Sequence, residues 1–266
     1  MKIKNVNGVE FCIFENIEST GLVNHCFTTR KGGVSKGVFE SLNVSYTRGD
    51  DKNNVDENMR RLSEAVGFDA NKIVSGHQIH KTEILQADYS HCLKSLSGYD
   101  GYITDKPGIV LCTFHADCVP LFFVDPVKKV IALSHSGWRG TALKMAQVTV
   151  NKMKSLYGCK SENILAGIGP SIGKCCFQVD QVVVDEFNKN MDFAMEYISP
   201  DPERENHYKA DLWHINKRLI MESGVSEKNI EVTDKCTMCC DDLFFSHRRM
   251  GDKRGSMAAF MSLKEF

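Results

Sequence analysis

Three short apolar runs near the middle of the chain limit its fold more than any other feature. Residues 108–114 read GIVLCTF, 119–124 read VPLFFV and 130–134 read VIALS. None alternates polar with apolar, and each is strand-length, so each predicts a strand buried on both faces. The segment Gly137-Trp138-Arg139-Gly140-Thr141 then opens a helix. Its Ala142, Ala146, Val150 and Met153 recur every three or four residues and make one apolar face. A strand returns at 164–168. Helices over 179–190 and 211–223 flank a polar loop at 199–206, and further strands are expected at 230–233 and 257–261. Upstream, residues 1–55 read as short strands and turns, with 25–30 β-like and a glycine-rich loop at 31–37. Helical spacing over 55–66 stops at Gly67. Strands mixed with amphipathic helices predict an α/β (α+β) architecture. With 266 residues, six prolines and no low-complexity linker, one domain spanning 1–266 is expected.

Charge narrows the partners. Lys and Arg number 33 against 34 Asp and Glu, a formal net charge of −1. A nucleic-acid binder would show a basic surplus, so no nucleic-acid partner is expected. No segment approaches the roughly 20 apolar residues that span a bilayer, so no membrane partner is expected either. The first twenty residues lack the apolar run of a signal peptide, which points to the cytoplasm. Eleven cysteines, an odd number in a long chain without an export signal, argue against a disulfide framework. No coiled-coil heptad is present, and a monomer is the default expectation.

Three blocks place a His or Cys at the edge of an apolar strand: Gly76-His77-Gln78-Ile79-His80, His115-Ala116-Asp117-Cys118 and Ser134-His135-Ser136. Strand ends let side chains converge on a cleft while the scaffold stays rigid. Two imidazoles and a thiolate suit zinc or a similar transition metal, and three protein ligands leave one position open, the catalytic pattern. The long gaps between blocks match no local ligand motif. A core cysteine with two hydrogen-bonded histidines fits the same residues.

Other segments also carry chemistry. Cys236-Thr237-Met238-Cys239 is a CxxC pair, but its potential complement, Cys175-Cys176, is adjacent rather than spaced for joint chelation. Buried reduced thiols are the expected reading there. The helix start at 137–141, with Arg139, could attract phosphate, as could the turn at 169–173. Neither has the glycine spacing of a known phosphate-loop motif. Residues 244–249, FFSHRR, read as an edge strand with solvated charges in preference to a pocket that stacks a base.

Taken together, the blocks resemble one family. They are residues 25–35, 41–44, 49–51, 78–80, 116–120, 135–140, 169–173 and 244–249, which follow the family's order across nearly the whole chain. It is the laccase-domain family, once labelled multicopper polyphenol oxidoreductase and later recognised as purine nucleoside phosphorylase. The resemblance implies a zinc site with His80, Cys118 and His135 as ligands and catalytic residues, with His80 preferred over His77 because it follows Gln78-Ile79. It implies phosphorolysis of adenosine, inosine, guanosine and methylthioadenosine, and deamination of adenosine. Purine nucleosides and phosphate are then the partners, and Arg48, Arg139, Asn43 and Asp117 the candidate substrate or phosphate contacts. The implied fold is a mixed β-sheet sandwich with flanking helices, shared with a toxin-like Cys–His hydrolase. The sequence departs from the family at His115, at His247 and over 250–255.

Three other readings compete. One is a metal-free thiol hydrolase or amidase with Cys118 as nucleophile and His135 as base. Another is a copper-dependent polyphenol oxidase, disfavoured because nine histidines, few of them clustered, poorly supply several coppers. The last is a non-catalytic binding module.

Overall fold

In the computed structural model, which describes residues 1–265, the three central runs are strands, Val110–His115, Val119–Asp125 and Val130–Ser136. They fall in two different sheets. One six-stranded sheet runs in the order Lys2–Val6, Val9–Ile13, Val23–Thr28, Met257–Leu263, Val110–His115, Ile73–Val74. The other runs Ile230–Val232, Leu165–Ile168, Val119–Asp125, Val130–Ser136, Gly101–Thr104, Ile84–Gln86. Both are mixed. Most pairs are antiparallel, while Ile73–Val74 with its neighbour, Leu165–Ile168 with Ile230–Val232, and Ile84–Gln86 with Gly101–Thr104 are parallel.

The period of two along each strand explains why the runs are apolar throughout. Phe122 and Val124 point into the space between the sheets, where they meet Phe27, Leu111, Met257 and Ala259. Val119, Leu121 and Phe123 point the other way, against Ala146, Val150 and Met153 of the helix Met145–Tyr157 and Ile215 and Leu219 of the helix Leu212–Glu222. The outer face of the first sheet is covered in turn by Met59 and Leu62 of the helix Lys52–Val66. The result is a helix–sheet–sheet–helix sandwich, as the family resemblance implied.

Helix ends follow their caps. Asp51, Asp180 and Asp211 accept from the amides of Asn53, Val183 and His214. Gly67 closes the first of these helices in the left-handed region, φ 85°.

Two expectations are corrected. The helix predicted from Gly137 through Met153 is broken into Trp138–Ala142 and Met145–Tyr157, because Lys144 adopts φ 61°. Residues 244–249 are not an edge strand. Phe244 and Phe245 are fully buried in the inter-sheet core, and Ser246 caps the short helix His247–Met250 by accepting from the Arg249 amide. A segment whose two aromatics must both be buried has no free edge to offer.

Candidate metal centre

The chain steps from one sheet to the other at Ala116-Asp117-Cys118, which puts Cys118 on the rim of the sandwich. His135 lies one strand over, opposite Pro120 in the antiparallel register. His80 comes from the loop beyond the short strand Gly76–His77. The potential ligand atoms of His80, Cys118 and His135 all lie within 4.8 Å of one another, with His135 buried, Cys118 half-buried and His80 exposed. The two rings meet edge to face, centroids 4.9 Å apart. A thiolate and two imidazoles at this separation fit a single borderline-soft cation, and His77 lies outside the group.

The approach is close. A Cβ added at Gly137 would lie 2.9 Å from Cys118 Sγ and 3.2 Å from His80 Cδ2, so only glycine leaves room for the three to meet.

A residue that sequence reasoning missed holds the group together. Asp100 is fully buried. Its Oδ1 accepts from the His80 amide at 2.9 Å, and its Oδ2 accepts from the amides of Ile79 and Lys81 at 3.1 and 2.9 Å. These three bonds hold His80 at φ 59°, a left-handed conformation that would otherwise cost about 1 kcal/mol. The same carboxylate lies 3.0 Å from His135 Nδ1, and the Asp100 carbonyl accepts from the His135 amide. One acid therefore orients two of the three candidate ligands and assigns Nδ1 of His135 to itself. Burial works to raise the Asp100 pKa, but His135 and the amides outweigh it and hold the group below the usual carboxylate range.

The trio is electrostatically coupled. Burial alone would push the Cys118 thiol up, yet His135 and His80 bring it below its ordinary value. Burial opposes charge on His135, yet Cys118 and Asp100 lift it above.

His115 also belongs to the site. Its Nδ1 lies 3.0 Å from the Cys118 carbonyl and its Nε2 2.8 Å from Thr113 Oγ1. Burial, with His135 nearby, keeps it well below the usual imidazole value, so it is a neutral brace for the turn that carries Cys118. Nothing in its one-letter context separates it from a core histidine.

The trio opens on a cavity of about 500 Å³, the size of a small-molecule site. Arg48 lines it, and so do His77, Phe114 and Arg254. The other candidate contacts lie elsewhere. Arg139 is exposed, with its guanidinium 4.2 Å above the Trp138 ring. Asn43 is fully buried, donating to Asp50 and Ser45 and accepting from the amides of Ser45 and Ser256. Asp117 turns away from the cavity, accepting from the hydroxyls of Thr237 and Ser246 and the amide of Arg248. That makes it an anchor between loops.

Arg254 was not anticipated. It is buried, its Nε has no hydrogen-bond partner, and burial together with the nearby Arg48 charge lowers it to about 10.

The sandwich with its rim site is the laccase-like α/β class. It matches the crystal structure of YlmD from Geobacillus stearothermophilus with a TM-score of 0.89 and 33% identity, covering 98% of each chain. The chain belongs to the multi-copper polyphenol oxidoreductase laccase family, whose model matches residues 24–264.

Curated relatives carry more specific names. The purine nucleoside phosphorylase YlmD of G. stearothermophilus is 37% identical over 248 residues, 90% of this chain and 89% of that protein. The mouse purine nucleoside phosphorylase LACC1 is 37% identical over 249 residues, and the match spans only 56% of its length. Adenosine deaminase RL5, from an unknown prokaryotic organism, is 30% identical over 237 residues, 86% of this chain and 90% of that protein. No helix among the described residues is long and apolar enough to cross a membrane.

Proposed function

We propose that this protein is a zinc-dependent purine nucleoside phosphorylase that also deaminates adenosine, acting at His80, Cys118 and His135. The observation that carries the reading is the convergence of a thiol and two imidazoles, oriented by a buried acid, at the wall of a nucleoside-sized cavity. The relatives' names supply the substrate class. Among the described residues, groups of three or more metal-capable side chains are this trio and one all-cysteine cluster, which favours a single zinc here over a multicopper centre.

Zinc, when bound, supplies a Lewis acid that acidifies water and polarises the group it touches. The chain's own residues do the rest. Asp100 fixes the ring of His135 and the backbone of His80. Phe114 and His77 line the cavity and are the rings on which a base would stack. Arg48 and Arg254 hold phosphate. Two guanidiniums beside one cavity repel each other, and an anion between them relieves that repulsion while satisfying the unpartnered Nε of Arg254. In phosphorolysis the glycosidic C–N bond breaks, an oxygen of hydrogen phosphate bonds the anomeric carbon, and the proton that phosphate gives up ends on the ring nitrogen of the departing base. In deamination, water replaces ammonia at C6 of adenine and needs no phosphate. Adenosine, inosine, guanosine and methylthioadenosine are the proposed substrates.

Chromatography of adenosine incubations with and without phosphate tests the reading. Adenine and ribose 1-phosphate are expected only with phosphate, and inosine in either case. A folded, zinc-loaded protein that yields none of these products refutes it.

A further inference from the structure

Away from the cavity, four cysteines that the proposed reaction does not use come together. Cys175 and Cys176 sit in the turn after Gly173, and Cys236 and Cys239 in the turn after Lys235. A parallel bridge between Ser171 and Cys236 clamps the two turns, reinforced by the Thr237 amide donating to the Ser171 carbonyl at 3.0 Å. Cys239 Sγ lies 3.6 Å from Cys175 Sγ and 3.4 Å from Cys176 Sγ, and all four sulfurs fall within 4.8 Å of one another. A tetrahedral zinc with Zn–S of about 2.3 Å spaces its sulfurs about 3.8 Å apart. The Cys239–Cys175 and Cys239–Cys176 pairs already stand near that separation, and the remaining pairs lie within 4.8 Å.

The adjacent pair can converge because it lies in a tight turn, where the amides of Cys176 and Phe177 both donate to the Gly173 carbonyl at 2.9 Å. This corrects the expectation that adjacent cysteines are badly placed to chelate together; of the expected buried thiols, Cys236 is buried and Cys176 half-buried. Cys175 and Cys239 are exposed.

Two further observations point to a charged cluster. The Gly173 amide donates to Cys236 Sγ at 3.2 Å, the backbone-to-sulfur bond that stabilises a thiolate ligand. Cations also ring the site. Lys209, Arg248 and Arg249 donate to the carbonyls of Cys175, Cys176 and Met238 at 3.4, 3.2 and 2.6 Å. Four thiolates around one divalent cation leave a net charge of −2; Lys209 and Arg249 also pair with Asp201 and Asp241, so Arg248 is the member of the belt whose charge is left to offset it.

We propose that Cys175, Cys176, Cys236 and Cys239 form a second metal site, a closed tetrathiolate centre for zinc. Each thiol loses its proton to solvent as its sulfur bonds the cation, and no electron is transferred. All four positions come from protein, so no vertex is open to substrate and the role is structural. The centre staples the turn at 173–177 to the segment 236–250. Through the Thr237, Ser246 and Arg248 bonds to Asp117, that segment backs the loop bearing Cys118.

The test uses the full chain, with zinc and then cobalt(II) as probes. Native mass spectrometry and elemental analysis of reduced, zinc-supplied protein are expected to show two zinc ions per chain. The Cys175→Ser/Cys239→Ser variant is expected to hold one. A His80→Ala/His135→Ala variant leaves the cysteines intact and is expected to retain one. When cobalt(II) replaces that ion, it should give the intense thiolate-to-cobalt charge-transfer absorption of a four-sulfur site. A folded His80→Ala/His135→Ala protein that binds no zinc would overturn the proposal. So would cysteines that pair as disulfides in the purified chain and take up no metal after reduction.

Discussion

The chain gathers metal-capable side chains in two places, and the two are built on opposite plans. At the rim of the sandwich, two imidazoles and one thiol meet at the wall of a cavity, steadied by a fully buried carboxylate. At the four-cysteine cluster, two surface turns close on themselves, and the surrounding cations are spent on backbone carbonyls. One plan leaves a position for a reacting group, and the other leaves none. The proposed roles, a reactive centre and a staple, rest on the surroundings: a cavity lined by Arg48 and by Arg254 with its unpartnered Nε on one side, a ring of hydrogen bonds on the other.

The largest effect is expected from Cys118→Ala. With the thiol gone, the rim loses a ligand and both reactions should fall by more than about a hundredfold, beyond the usual cost of an outer-shell change. The cysteine cluster should keep its metal. Initial rates of phosphorolysis and deamination, measured beside metal content, check this. Survival of either reaction would break the single-site reading, and loss of all metal would merge the two centres into one.

Two buried imidazoles sharpen the same contrast through pH. His135 is held above its ordinary pKa by Cys118 and Asp100, whereas His25 has no such neighbours at hydrogen-bonding distance. It accepts from the Phe14 amide at Nε2, and burial lowers it to about 4. Its pKa is near 6.5 unfolded, so the unfolded chain binds more protons between about pH 6.5 and pH 4. Stability from this group is complete above that window and is lost as pH falls through it, by about 3 kcal/mol in all. Denaturant titrations at neutral and acid pH should show the loss. His25→Gln, whose amide oxygen can accept the same bond, should remove that part of the acid slope; an unchanged slope would assign the sensitivity to other groups.

Asp100→Asn comes next. The amide keeps the size of the acid but offers one accepting oxygen instead of two, and no charge to His135. Metal affinity at the rim, measured by chelator competition, should weaken about ten- to a hundredfold, with the rates following. A wild-type affinity would mean that His80 and His135 are oriented without the acid.

The layers and most strands were legible because burial on both faces writes itself as unbroken apolar runs. The helix break at Lys144 was not, since nothing in the residue type demands φ 61°. The trio was chemically possible from residue types, and family resemblance singled it out, because ligands on separate strands leave no local spacing. Asp100 was illegible: its bonds to residues 79–81 and His135 cross distances in sequence that only the fold closes. The cysteine pairs were visible as letters but misread, since a turn can aim adjacent side chains at one point where a strand cannot.

Arg48→Ala probes the cavity side of the contrast most selectively. The arginines beside the cysteine cluster have carbonyl partners, while Arg48 is exposed at the cavity and, added to the larger effect of burial, its like charge helps lower the pKa of Arg254. If phosphate bridges the two, losing one charge-assisted partner should cost about 1.4 kcal/mol, roughly a tenfold rise in KM for phosphate. Deamination has no phosphate to hold, so its rate should stay near wild type. A parallel fall in both reactions would place Arg48 against the nucleoside. An unchanged phosphate KM would leave Arg254, with its unpartnered Nε, as the cation that seats the anion.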